Sequence, residues 1–246
     1  MDKSKPIRVN HRSSSHKKMT APIKLVVLIS GNGSNLGAII NEIQQGKLNA
    51  VIVKVISNQA DAYGLTRAQQ ANISSTVIDH KDYDSREHFD QALMHSIDQC
   101  HPDLIVLAGF MRILSDAFVE HYLGKMINIH PSLLPKYQGL NTHQRVLEAG
   151  DSVHGVTVHY VTPELDSGPI ILQAKVPVLE GDNEASLKQR VHQAEHQLYP
   201  EAIRRIATGQ VTFRNGVVYF NHAPIEAGQY QFEVLTDELT GKKETE

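Results

Sequence analysis

The stretch Lys24-Leu25-Val26-Val27-Leu28-Ile29-Ser30-Gly31-Asn32-Gly33-Ser34-Asn35-Leu36 carries the reading that decides the fold. Its first six residues are the β-branched and leucine run of a short buried strand, and the glycines end it. Apolar residues then return at Leu36, Ile39, Ile40 and Ile43, which is helical spacing. The order is strand, glycine loop, helix. Working outward, further strands are expected at Val51–Ile56, Thr76–Ile78, Asp103–Ala108 and Met126–Ile129. Helices are expected at Tyr63–Ala71, from a Ser85 cap to about Gln99, and from a Ser115 cap to near Gly124. Such alternation implies βαβ units, hence an α/β fold with a doubly wound, mostly parallel sheet and a Rossmann-like N-terminal half. Beyond Thr142 the pattern changes. A short helix ends at Gly150, and Gly155–Val161 and Pro169–Val178 read as late strands that close the sheet by antiparallel pairing. A long helix from Glu184 to Thr208 and a hairpin at Asn215-Gly216 follow.

The chain has 246 residues, 41% hydrophobic and 21% charged, enough for one sizeable core. One domain is expected at 23–228, between a flexible basic N-terminal tail (1–22) and a loose acidic C-terminal tail (229–246); Met19 is a second candidate start. A net charge of -3 gives no footprint for gripping a polyphosphate backbone, so nucleic acid is not expected as a partner. Cys100 is the only cysteine, which excludes an intramolecular disulfide and a thiolate metal cluster and suits a reducing, cytoplasmic setting. The longest apolar runs, such as Leu25–Ile29, fall far short of the roughly 20 residues of a membrane helix.

The loop Gly31–Asn35 lies where free N–H groups and a helix dipole favour an anion. It fails the P-loop pattern, because no Lys-Ser/Thr follows, and the dinucleotide pattern, because Leu36 replaces the third glycine and Ser57-Asn58 ends strand two without an acid. Two readings stand: a sugar-phosphate cradle with Ser34 and Asn35 as side-chain or backbone donors, or a tight turn with Ser34 as helix cap. Asn128 and His130 are two apart at a strand end, so both leave the same face. Pro131 stops the ladder there, and the tight turn makes Leu134-Pro135 a candidate cis peptide. An amide donor beside an imidazole suits acyl transfer, since one can hold an oxyanion and the other can move a proton. Asp166, thirty-six residues after His130, reads either as the imidazole's carboxylate partner or as a turn former.

Residues 27–36, 107–114, 128–135 (Asn-Ile-His-Pro-Ser-Leu-Leu-Pro) and 165–169 (Leu-Asp-Ser-Gly-Pro) together resemble the folate-dependent formyltransferases, in the branch whose acceptor is glycinamide ribonucleotide. The resemblance spans about 24–220. It implies that His130 moves a proton, Asn128 stabilises the oxyanion, and Asp166 orients and charges the imidazole. It implies that Gly33, Ser34 and Asn35 hold the ribonucleotide phosphate, with Glu195 near the ribose. It places the formyl donor, 10-formyltetrahydrofolate, against Arg86, Met111, Arg112, Ile113, Leu114, Asn128, Thr162, Pro163, Glu164, Leu165 and Asp166. No metal is called for. The implied partners are the two small-molecule substrates, with no membrane, and the chain is expected as a monomer or homodimer. A hydrolase or tRNA-acting relative would be expected to carry a further domain at one end. Two positions depart from the family pattern: Gln138 stands where proline is common, and Asn141 where histidine is common.

Overall fold

Alternate residues of β1 (Ile23–Ile29) face opposite ways. Leu25, Val27 and Ile29 enter one apolar cluster, and Val26 and Leu28 enter another. A strand buried on both faces belongs in the middle of a helix-covered sheet. β1 lies there in the computed structural model, which describes residues 21–225 and 231–235. The chain continues through α1 (Ser34–Gln44), β2 (Ala50–Ser57), α2 (Tyr63–Gln70), β3 (Ser75–Val77), α3 (Arg86–Asp98) and β4 (Leu104–Leu107). Next come α4 (Asp116–His121), β5 (Met126–His130), α5 (Thr142–Ala149), β6 (Val153–Tyr160), β7 (Ile170–Pro177) and α6 (Glu184–Ala207). Four short strands follow: β8 (Val211–Arg214), β9 (Val217–Phe220), β10 (Ala223–Pro224) and β11 (Gln231–Phe232).

The main sheet has eight strands in the order β11-β7-β6-β5-β4-β1-β2-β3. Strands β3 to β5 are parallel, and β6 pairs antiparallel with both β5 and β7, as the late strand pattern predicts. The hairpin at Asn215-Gly216 forms a separate small sheet of β10, β9 and β8. Residues of α1, α5 and α6 fill one core cluster, and Phe89, Leu93 and Ile97 of α3 with Phe118 and Val119 of α4 fill the other. The chain winds from β1 out to β3 and then returns to place β4 on the other side of β1. The direction of winding therefore reverses between β1 and β4, and the carboxyl edge at such a reversal is the place where open α/β sheets bind ligands.

The structure differs from the sequence reading in two places. α4 stops at His121, a turn earlier than expected, and Gly124 adopts φ +76° in the reversal that follows. Residues 231–235 are not loose chain: Gln231–Phe232 pairs in parallel with β7, and Val234 is buried. Residues 1–20, 229–230 and 236–246 of the expected tails lie outside the described residues. Among the described residues no helix is long and apolar enough to cross a membrane.

One tie holds the long helix to the sheet. The Tyr199 hydroxyl of α6, fully buried, reaches the carbonyls of Leu107 at 2.8 Å and Ile127 at 3.2 Å, joining β4 and β5 from one side. Tyr199→Phe leaves both carbonyls without that donor in a dry environment, and should lower the unfolding free energy by about 1–3 kcal/mol. Urea titration with unchanged m-value checks this; a loss below about 0.3 kcal/mol would show that the bond contributes nothing net.

Candidate active site

β5 ends where Pro131 interrupts the ladder, so Asn128 and His130 stand at the carboxyl edge, two residues apart on one face. Antiparallel β6 sets His159 opposite Asn128 and Thr157 opposite His130. The turn after β6 then folds back and delivers Asp166 with φ +50°. Gly168 makes that return possible: a Cβ there would lie 1.7 Å from the Tyr160 carbonyl oxygen. Asp166 Oδ2 ends 3.4 Å from His130 Nδ1 and accepts the Gly139 N–H at 2.9 Å, with only 8% of its side chain exposed. The three residues singled out in sequence thus come together, and His159 joins them.

Hydrogen-bond partners fix several ring states. His159 Nδ1 faces the Tyr160 carbonyl at 2.9 Å, and a carbonyl only accepts, so Nδ1 carries the proton. Burial pushes the His159 imidazole below its ordinary value, so the ring is neutral and its Nε2 accepts from the Asn128 amide at 3.3 Å. The other amide hydrogen of Asn128 meets no acceptor among the described residues. The 3.8 Å approach of Asp166 Oδ1 to His159 Nε2 is accordingly no ion pair in that state. His130 Nε2 lies 2.8 Å from the Tyr137 carbonyl, and Nδ1 faces the Asp166 carboxylate. Both nitrogens see acceptors, so the ring satisfies both only when it carries two protons.

The loop after β5 is braced from below. Thr157 Oγ1 donates to the Ser132 carbonyl at 2.6 Å and accepts the Leu134 N–H at 3.1 Å, and Gln173 donates to the Leu134 carbonyl at 2.9 Å. The Leu134–Pro135 peptide is cis. Gln138 uses its side chain where a proline has none, donating to Ser167 Oγ at 2.9 Å and to the Asp166 carbonyl at 3.3 Å. Behind it, His143 Nδ1 and His154 Nε2 meet at 3.0 Å; burial, then the charges of neighbouring histidines, push both rings down to about 4.

The glycine loop is shaped by close contact rather than by a capping serine. Gly33, at φ +68°, is the helix cap, no side chain caps α1, and a Cβ on Gly33 would lie 2.7 Å from Gly64 Cα. Arg67 of α2 holds the loop through the Asn32 carbonyl at 2.9 Å and Asn32 Oδ1 at 3.0 Å. Of the two donor readings for Asn35, side chain or backbone, the backbone N–H is left: the side-chain amide is buried and donates to Glu195 Oε2 at 2.9 Å. Burial pushes the Glu195 carboxyl up to about 7, against the Asn35 hydrogen bond and the charge of Lys188.

The expected donor-binding residues divide. Met111 and Ile113 are held out in solvent while Leu114 is buried, and Arg112 lies with its guanidinium carbon 5.3 Å from the centre of the Phe89 ring. In the Asp166 turn, Thr162 Oγ1 bonds the Glu164 carbonyl at 3.4 Å, Pro163 follows it, and Leu165 is exposed. Arg86 stands apart, exposed at the start of α3 with Glu87 at 3.6 Å. Two surface hollows, of about 330 and 430 Å³, lie elsewhere: the first beside Tyr137, His154 and Lys175, the second at the amino ends of β4 and β5 around Asp98 and His121. Converging polar groups at the carboxyl edge of the sheet, not either hollow, mark the site.

Sequence reading missed His159, Arg67 and Gly64. Only His159 left a signal, a polar residue alternating with valines in Val156–Tyr160 directly before the aspartate turn.

The formyl transferase family pattern matches residues 23–203. The phosphoribosylglycinamide formyltransferase of Escherichia coli is 52% identical over 199 residues, covering 81% of this chain and 94% of its own. That of Haemophilus influenzae is 44% identical over 210 residues, covering 85% and 99%. Among solved structures, the phosphoribosylglycinamide formyltransferase of Coxiella burnetii superposes with a TM-score of 0.82 at 54% identity, covering 86% of this chain and 99% of that one.

Glu195 gives a pH test. Unfolded, its carboxyl ionises near 4.5; folded, it keeps its proton up to about 7. The unfolded chain therefore binds fewer protons across that window, and its contribution to stability falls as pH rises from about 4.5 to 7, then levels off. Glu195→Gln removes the dependence, so its melting temperature should gain on the parent between about pH 5 and pH 8. Parallel melting curves across that range would contradict the buried-acid assignment.

Proposed function

The chain belongs to the formyl transferase family, and on that premise we propose that it moves the formyl group of 10-formyltetrahydrofolate to the amine of 5'-phosphoribosylglycinamide. The observation that carries the reading is the buried approach of His130 Nδ1 to Asp166 at 3.4 Å, beside an Asn128 amide with one hydrogen to spare. The glycine loop, across β1 and β4 from this cluster, suits the ribonucleotide phosphate through the N–H groups at Gly33, Ser34 and Asn35. Glu195, whose other partner is Asn35, faces the ribose in this reading, and Met111 to Leu114 with Thr162 to Leu165 and Arg86 receive the formyl donor.

The amine nitrogen attacks the formyl carbon, forming a C–N bond and a tetrahedral intermediate with a negative oxygen. The free amide hydrogen of Asn128 and the Nε2–H of His130 meet that oxygen, which takes the place of the Tyr137 carbonyl as the acceptor for His130. Asp166 holds Nδ1 and balances the positive ring. Preorganised donors of this kind lower the barrier because they need no reorientation as charge develops. The proton lost by the attacking nitrogen passes to N10 of the folate, directly or through a water at Asp166. Collapse then breaks the carbon–N10 bond and releases tetrahydrofolate.

The experiment is a spectroscopic assay of tetrahydrofolate formation with and without glycinamide ribonucleotide. Release only with the acceptor supports transfer, and release without it would reassign the chain to hydrolysis. His130→Ala and Asp166→Ala should each reduce kcat by about 10²-fold or more, and Asn128→Ala by about 10²- to 10³-fold, with folding retained. Turnover near the parental rate in a folded His130→Ala or Asp166→Ala chain would remove that residue from the chemistry.

A further inference from the structure

The loop 109–114 between β4 and α4 presents two large apolar side chains to water: Met111 is 72% exposed and Ile113 65%. Exposed apolar groups on an irregular segment are normally mobile, yet this one is fastened at both ends. At its start, the Ser30 N–H donates to the Gly109 carbonyl at 3.2 Å, and the Met111 N–H donates to Ser30 Oγ at 2.7 Å. The same hydroxyl donates to Asn58 Oδ1 at 2.6 Å, and Asn58, buried at the end of β2, has its amide 3.4 Å from His80 Nδ1. The carboxyl ends of β2, β1 and β4 are thus laced together through one serine. At the loop's end, the buried carboxylate of Asp90 on α3 accepts the Ser115 N–H at 2.7 Å, and Ser115 in turn caps α4. Between these anchors, Arg112 lies over Phe89, the residue before Asp90.

We propose that Ser30, backed by Asn58, and Asp90 are positioning residues that hold the 109–114 loop as a rigid platform for the ring system of the formyl donor. This rests on the reading that the loop receives that donor. A backbone fixed beforehand loses little freedom when a flat heteroaromatic ring settles on it, so the anchors act on donor affinity and leave the reacting groups alone. Ser30 directly follows β1 and Asp90 lies on α3, whereas the His130 and Asp166 pairing is made by β5 and the turn after β6.

The test is a separation of Michaelis constants. Ser30→Ala and Asp90→Ala should each raise KM for 10-formyltetrahydrofolate about tenfold, while KM for glycinamide ribonucleotide moves by less than about twofold and kcat at saturating donor falls no more than about threefold. Ser30→Thr and Asp90→Asn retain an acceptor oxygen and should recover most of the donor affinity. Calorimetric titration with tetrahydrofolate should show the same loss and recovery without turnover. If thermal melting shows that Asp90→Ala does not fold, Ser30→Ala decides. A folded Ser30→Ala chain with unchanged donor KM, or with both KM values raised together, overturns the proposal. No transfer by the parental chain would instead sink the functional reading, and the two failures are therefore distinct.

Discussion

Asp166 is a carboxylate almost sealed from water, and such a group is tolerated only where donors surround it. Much of the carboxyl edge of the sheet is arranged to meet that demand. The return of the chain after β6 needs Gly168, because the Tyr160 carbonyl occupies the space of any side chain, and it needs a left-handed backbone at Asp166 itself. The Gly139 N–H supplies one hydrogen bond, and His130 Nδ1 lies 3.4 Å away. Gln138 then ties its own loop to the Asp166 turn, so the carboxylate and the segment that donates to it move as one piece. Removing the carboxylate's partners therefore disturbs geometry as well as charge.

The second organising element is one face of α6. Glu195 and Tyr199 lie four residues apart, hence one above the other on the helix. Glu195 meets Asn35 on α1, and Tyr199 meets the last residue of β4 and the residue before Asn128 on β5. A single helix face therefore sets the distance between the glycine loop and the Asn128 and His130 strand. Under the proposed function, the phosphate and amine ends of the acceptor would meet elements registered by the same buried side chains.

What the sequence revealed followed from how local each feature is. The β1, loop and α1 pattern lies within one window, and its alternation and helical spacing are properties of neighbouring residues, so strand and helix positions came out close to their observed bounds. Asn128 and His130 were legible for the same reason. Asp166 was ambiguous because its approach depends on antiparallel pairing of β6 and on a glycine whose side-chain space the Tyr160 carbonyl fills, and neither is written in its own neighbours. His159 reads as one more strand residue until β5 is placed against it. For Asn35 the sequence leaves side-chain and backbone donation open, because the helix that takes its amide, α6, lies far along the chain. Gly64 and Arg67 come from a different helix, and only packing shows that the glycine loop leans on them.

Protonation completes the account of why one imidazole among several is set apart. Burial lowers His159, His143 and His154, so these rings are neutral at physiological pH, and each can accept as well as donate. For His159 the accepting nitrogen is the one turned to Asn128, and this fixes which way the amide points. A cationic His159 would reverse that bond and compete for the Asp166 carboxylate. Its neutrality therefore has two consequences: the Asn128 amide donates to His159, and of the two rings facing Asp166 only His130 has a nitrogen turned to the carboxylate that can carry a proton. In a site nearly closed to solvent, a cationic His159 beside that carboxylate would cost further desolvation, and the neutral ring avoids it. The Tyr160 and Tyr137 carbonyls hold the two rings in place, so the strand end has its donors oriented before any ligand arrives.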